Sequence, residues 1–162
     1  LMTMPIKKTE FICAYAIAFC ILGTIQAVVA GLASIYIFGL ETGGKTVAVI
    51  GIAILDSILG TALGLLASSL ARTEFQAVQF MPVVLIPQFL LGGFIVPRDS
   101  LPSFLNFLSD LMPLSYSVDA LSQVFRQGTN LHSGYMNNVL VVLLISVIAL
   151  ALGGLTLRRS SK

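Results

Sequence analysis

Charge is the scarcest property of this sequence: nine Lys and Arg and seven Asp and Glu in 162 residues make it 10% charged, against about a quarter in soluble domains. With 57% hydrophobic residues and a mean hydropathy of +0.99, it holds more apolar side chain than a water-soluble core can absorb. The formal net charge of +2 comes from scattered positive residues, so no basic patch for nucleic acid is expected. Histidine occurs once, at His132, with no second His or Cys near it. A metal site is therefore not expected, and His132 reads as a solvated loop residue. Cysteine occurs twice, at Cys13 and Cys20, on one face of a helix. The pair cannot bridge within that helix and reads as small packing residues. No Ser/His/Asp or Cys/His set stands at a recognisable spacing, so neither an enzyme nor a cofactor is expected. A cleavable signal pattern is also missing, because the first apolar run is far longer than a signal core. The chain opens on Leu1 inside a polar stretch and reads as a fragment.

What the sequence does have is four long apolar runs, at residues 11–40, 46–71, 75–96 and 137–157, separated by short polar clusters. Each can cross a hydrocarbon layer of about 30 Å at about 1.5 Å per residue, and the first is long enough to tilt or protrude. Backbone groups in lipid must bond internally, so the fold expected is an all-α polytopic membrane protein with four transmembrane helices. Residues 1–10 precede them as a short amphipathic stretch. Between the third and fourth runs, residues 97–136 contain the segments 101–108 and 113–125, which are too short to span and fit re-entrant or interfacial helices on the outer side.

The basic residues set the expected orientation. With a cytoplasmic N-terminus, Lys7, Lys8, Arg72, Arg158, Arg159 and Lys162 lie inside, and Lys45, Arg98 and Arg126 lie outside. That asymmetry favours cytoplasmic N- and C-termini in the cell membrane.

Three local patterns shape the helices. Gly23, Ala27 and Gly31 in the first run, and Gly60, Gly64 and Ser68 in the second, form small-residue stripes on which another helix can pack. Thr73 and Gln76 stand at capping-box spacing and should start the third helix. Pro82, Pro87 and Gly92-Gly93 should kink that helix and loosen its outer end. The segment from Gly39 to Thr46 satisfies G-x-x-x-x-G-K-T, but a phosphate-binding loop needs a sheet behind it, whereas here both flanks are membrane spans. It reads as a Gly-rich turn between helices.

Asp56 is the ionisable residue set well inside a run. A carboxylate at the centre of a bilayer costs about 2.5–3.5 kcal/mol, so it should turn toward protein. Counted at 1.5 Å per residue from the outer helix ends, Asp56, Gln88 and Gln26 lie about 16, 12 and 22 Å deep and could share one polar layer. The expected partners of Asp56 are Gln26, Gln88, or a hydroxyl such as Ser57 or Thr61. Its role stays open between a substrate-contacting or proton-responsive acid and a structural interhelical bond.

The order of Met4-Pro5-Ile6-Lys7-Lys8-Thr9-Glu10, two spans, a hairpin reading Ser68-Ser69-Leu70-Ala71-Arg72-Thr73-Glu74-Phe75-Gln76-Ala77, then Leu91-Gly92-Gly93-Phe94-Ile95-Val96-Pro97-Arg98-Asp99-Ser100-Leu101-Pro102 and Pro113-Leu114-Ser115-Tyr116-Ser117-Val118-Asp119-Ala120-Leu121 resembles type-2 ABC transporter permeases over essentially the whole chain. The resemblance implies spans three to six of a six-span subunit, with the outer hairpin before the last span a feature of the family. It implies a dimer with a second permease copy, identical or not, paired with ATP-binding cassette subunits that hydrolyse the ATP, and export of drugs, lipids, polysaccharides or similar amphiphiles. Met4, Pro5, Ile6, Lys7 and Lys8, with Arg72 and Glu74 beside them, take by this resemblance the place of the surface that meets the ATPase. The departure is Asp56, which puts in doubt the uniformly greasy pathway of a lipid carrier. Two other readings remain: an ion-coupled secondary transporter using Asp56, and a non-transporting membrane assembly protein.

Overall fold

The computed structural model describes residues 8–43, 45–126 and 133–159. Six α-helices follow one another: α1 (Lys8–Tyr36), α2 (Thr46–Leu70), α3 (Glu74–Leu91), α4 (Ser103–Asp110), α5 (Pro113–Arg126) and α6 (Ser133–Arg159), with a 3-10 turn at Arg98–Ser100 before α4. There is no strand among the described residues. Four stretches are long and apolar enough to cross a membrane: Cys13–Tyr36, Thr46–Leu70, Glu74–Leu91 and Gly134–Gly154. The chain is a multi-pass helical membrane protein.

Where helices stop is decided by glycine and by local hydrogen bonds. α1 ends at Tyr36, four residues short of the expected 40. Ile37 and Phe38 donate back to the Ala33 carbonyl at 2.8 and 3.2 Å, and Leu40 to Ser34 at 3.1 Å. Gly39, at φ +67°, then turns the chain through the left-handed region that glycine tolerates. α3 likewise ends at Leu91 and not at 96: Gly92 closes on Gln88 and Gly93 takes φ +89°. At its other end α3 is capped as expected. The Gln76 amide donates to Thr73 Oγ1 at 3.1 Å, while the Gln76 side chain accepts from the Arg72 amide at 2.9 Å, one residue earlier than in a standard capping box. Both prolines are accommodated inside α3.

α2 is the central helix, with α1 and α6 against it, α5 packed on α6 and α2, and α3 touching α2, α4 and α5. Small residues bring the axes together. A Cβ added at Gly23 would lie 3.2 Å from the Ser57 Cβ, one at Gly31 would lie 3.3 Å from Ile50, and one at Gly153 would lie 3.5 Å from the Leu66 backbone. A core of Val49, Ile52, Ala120 and Val124, bordered by Leu121, Tyr135 and Val139, joins α2, α5 and α6 near the hairpin.

The outside of this bundle is apolar, with Ile17, Val29, Val83 and Leu144 among many exposed large side chains. Several buried residues are polar: Thr42, Gln88, Ser109, Ser115, Ser117 and Ser146. In α3 the buried residue is Gln88, at 5% exposure. An apolar outside, with polar side chains kept within the bundle beside its apolar core, is what lipid as a solvent asks for.

Candidate functional site

Among the described residues nothing packs on the stripe Gly60, Gly64 and Ser68. No atom lies within 4 Å of a Cβ built on Gly60 or Gly64, and all three residues are exposed. α1 and α3 pass on either side of this face of α2, and no described helix covers it. Two open grooves result. One, of about 990 Å³, runs between α1 and α2 and is lined by Phe19, Gln26, Asp56, Ser57, Gly60, Thr61, Gly64 and Ser68, among others. The second, of about 550 Å³, runs between α2 and α3, past Asp56, Gly60, Gly64, Ser68, Phe80, Met81 and Gln88. Asp56, Gly60, Gly64 and Ser68 therefore form a wall common to both grooves.

Asp56, Gln26 and Gln88 do lie around this wall, Gln26 on one side and Gln88 on the other. The partners expected of Asp56 need correction. Gln88 turns back to donate to the Val84 carbonyl at 3.1 Å, Ser57 donates to Ile54 at 2.8 Å, and Thr61 donates to Ser57 at 2.9 Å. In helices a hydroxyl readily reaches the carbonyl one turn back, which removes it as a donor to other groups. The bond to Asp56 comes from Ser117, whose hydroxyl donates to Oδ1. Ser117 is almost fully buried and lies on α5, in a segment expected at the outer surface. A signal for its burial was available: Pro113, Ser117, Ala120 and Val124, all small or apolar, stand at spacings of four, three and four on one face of a helix, and the structure buries all four.

The hairpin between α3 and α6 is held by an ion-pair cluster that sequence reasoning also missed. Arg98, its side chain 16% exposed, pairs through one guanidinium nitrogen with Asp110 of α4 and through the other with Asp119 of α5. Its guanidinium lies 6.0 Å from the centre of the Tyr116 ring, and Tyr116 donates to the Asp110 carbonyl at 2.8 Å. Beneath this, Ser109 donates to the Leu91 carbonyl at 2.7 Å and lies 3.2 Å from the Ser115 hydroxyl. The end of α3, α4 and the start of α5 are thereby tied together, and Ser117 is set opposite Asp56.

The G-x-x-x-x-G-K-T segment joins two helices. Lys45 donates to the Val124 carbonyl at 3.2 Å, against the C-terminal turn of α5 where a cation is favoured. Gly44 and His132 lie outside the described residues, as do Met4, Pro5, Ile6 and Lys7 of the expected coupling surface. Lys8 opens α1, and Arg72 and Glu74 are exposed at the α2–α3 turn.

A bundle of spanning helices that hides serines and a glutamine, leaves a carboxylate open to apolar grooves and carries a clamped helical hairpin before its last span defines a polytopic helical membrane protein. The family model described as ABC-2 type transporter matches residues 1–125, and the chain belongs to that family. It is similar to the "Probable multidrug ABC transporter permease YbhS" of Escherichia coli (strain K12), 28% identical over 151 residues covering 93% of this chain and 38% of that protein. It is also similar to the "Linearmycin resistance permease protein LnrN" of Bacillus subtilis (strain 168), 22% identical over 129 residues covering 79% of this chain and 33% of that protein. A third relative, "ABC transporter G family member 20" of Dictyostelium discoideum, is 27% identical over 108 residues, 67% of this chain and 15% of that protein. The chain thus spans well under half the length of these curated relatives. No solved structure matches it.

Proposed function

We propose that this chain is part of the membrane-spanning permease subunit of an ATP-driven exporter, and that its amphiphilic cargo passes along the grooves that meet at Asp56. The observation that carries this reading is the shared wall of Asp56, Gly60, Gly64 and Ser68, a strip with little side chain and one carboxylate, open on both sides between apolar helices. Gln26 and Gln88 border the path. The printed names of two relatives, a probable multidrug permease and a linearmycin resistance permease, support a transport role. ATP is hydrolysed on a separate ATP-binding cassette subunit, two of which act on a pair of permease copies. The termini face the cytoplasm of a cell or inner membrane, as the basic asymmetry suggests. Met4 to Lys8, with the exposed Arg72 and Glu74, meets the ATPase and passes its closure to the helices.

The test is copurification and transport. A tagged whole permease should bring down an ATPase, and inside-out vesicles holding both should accumulate an amphiphilic dye with ATP and not with a non-hydrolysable analogue. Accumulation driven by an ion gradient alone would favour the secondary-transporter reading.

A further inference from the structure

The following rests on the export reading and adds the charge of the cargo. Ser117 engages Oδ1 of Asp56, and no described residue donates a hydrogen bond to Oδ2. Among the described residues, neither groove is lined by a lysine, arginine or histidine. The Ser57 and Thr61 hydroxyls and the Gln88 amide aim at carbonyls of their own helices. A half-satisfied carboxylate at this depth is costly until a donor or a cation meets it.

The rest of each groove selects the other end of the ligand. Leu59, Leu63, Val84 and Leu85 face the smaller groove, with Phe80 and Met81. Gly60 and Gly64 leave their side of it without a side chain, so a chain-like apolar group can lie along α2. A sugar polymer would find too few hydrogen-bonding groups there, and an anion would meet the carboxylate head on. We propose that the cargo is a cationic amphiphile: its positive head meets Asp56 Oδ2, and its apolar tail lies along the Gly60–Gly64 strip. A positive charge gains more from a single fixed carboxylate beside apolar walls than in bulk water, because those walls lower the local dielectric.

Three surfactants with one tail and permanent head charges separate the possibilities: decyltrimethylammonium, decylphosphocholine and decyl sulfate. Their ATP-dependent uptake is measured in inside-out vesicles carrying the whole permease with its ATPase. The cation should enter at least about tenfold faster than the anion, and Asp56→Asn should lower the cation-to-zwitterion ratio at least about tenfold, while Asp56→Glu keeps it. Cation uptake no faster than anion uptake, or an unchanged ratio in Asp56→Asn, overturns the proposal and leaves export standing. No ATP-dependent uptake of any of the three overturns the export reading for amphiphiles and this inference with it. Should Asp56→Asn fail to accumulate in the membrane, a diazirine-bearing decyltrimethylammonium on the wild type decides. Labelling of the α2 and α3 peptides that unlabelled cation displaces, and decyl sulfate does not, supports the proposal; labelling confined elsewhere overturns it.

Discussion

Asp56 was visible in the sequence as a carboxylate inside an apolar run, but its hydrogen-bond donor was not, because that donor lies 61 residues away on a helix that reads as surface. Helical spacing connects residues one turn apart; it does not report which helix crosses which. Ser117 is the residue whose loss tests the observed pairing. Ser117→Ala leaves both carboxylate oxygens without a described donor, and the expected destabilisation lies between about 0.6 kcal/mol, the average for interhelical bonds in membranes, and about 1.7, the upper range. Thermal unfolding of the purified permease in detergent measures it, and a neutral effect would remove Ser117 as the partner. Arg98 makes a different prediction. Its planar guanidinium serves Asp110 and Asp119 at once, and a lysine ammonium, a point charge on a flexible stem, cannot reproduce that fork. Arg98→Lys should therefore loosen the hairpin nearly as much as Arg98→Ala. The cost should fall between the roughly 1 kcal/mol of an exposed pair and the roughly 3 kcal/mol of a buried one, read as faster proteolysis within 98–119.

At the level of helices, hydropathy located all four spanning elements, since a run of uncharged residues in lipid has few alternatives. The ends were harder. Apolar residues continue past Tyr36 and past Leu91, so composition alone extends both helices, whereas Gly39 and Gly93 in positive φ stop them. The small-residue stripes show the same division. That of α1 was legible and is used, with Gly23 against Ser57 and Gly31 against Ile50. That of α2 has the same spacing, and among the described residues nothing packs on it: glycine spacing marks where a neighbour can come close and does not name that neighbour. Leucine substitutions separate the two stripes. Gly23→Leu should push α1 from α2 and cost about 1–3 kcal/mol by overpacking, whereas Gly64→Leu, with no described atom near its Cβ, should leave stability nearly unchanged while filling the groove and blocking transport. Equal loss of stability in both variants would mean that Gly64 is a packing contact in the whole permease.

For the molecule as a whole, the orientation rests on sequence: the basic residues near Arg72 and at both ends of the chain against those beside the hairpin. A cysteine introduced as Ser103→Cys, at the exposed start of α4, should react with a membrane-impermeant maleimide on intact cells. Labelling only after permeabilisation would invert the topology and move the ATPase surface to the wrong side. The coupling segment was read from resemblance, and its test is crosslinking from Met4 to the ATPase. The most direct test of the central claim, that cargo moves along the wall shared by the two grooves, places a cysteine in that wall. In a whole permease with every native cysteine, Cys13 and Cys20 among them, replaced by alanine, Gly64→Cys is predicted to react with a small water-soluble thiol reagent. Transported amphiphile should protect it, and trapping the ATPase in its ATP-bound state should change its rate. A cysteine at Gly64 that stays unreactive, or that reacts at one rate regardless of cargo and nucleotide, would contradict the account.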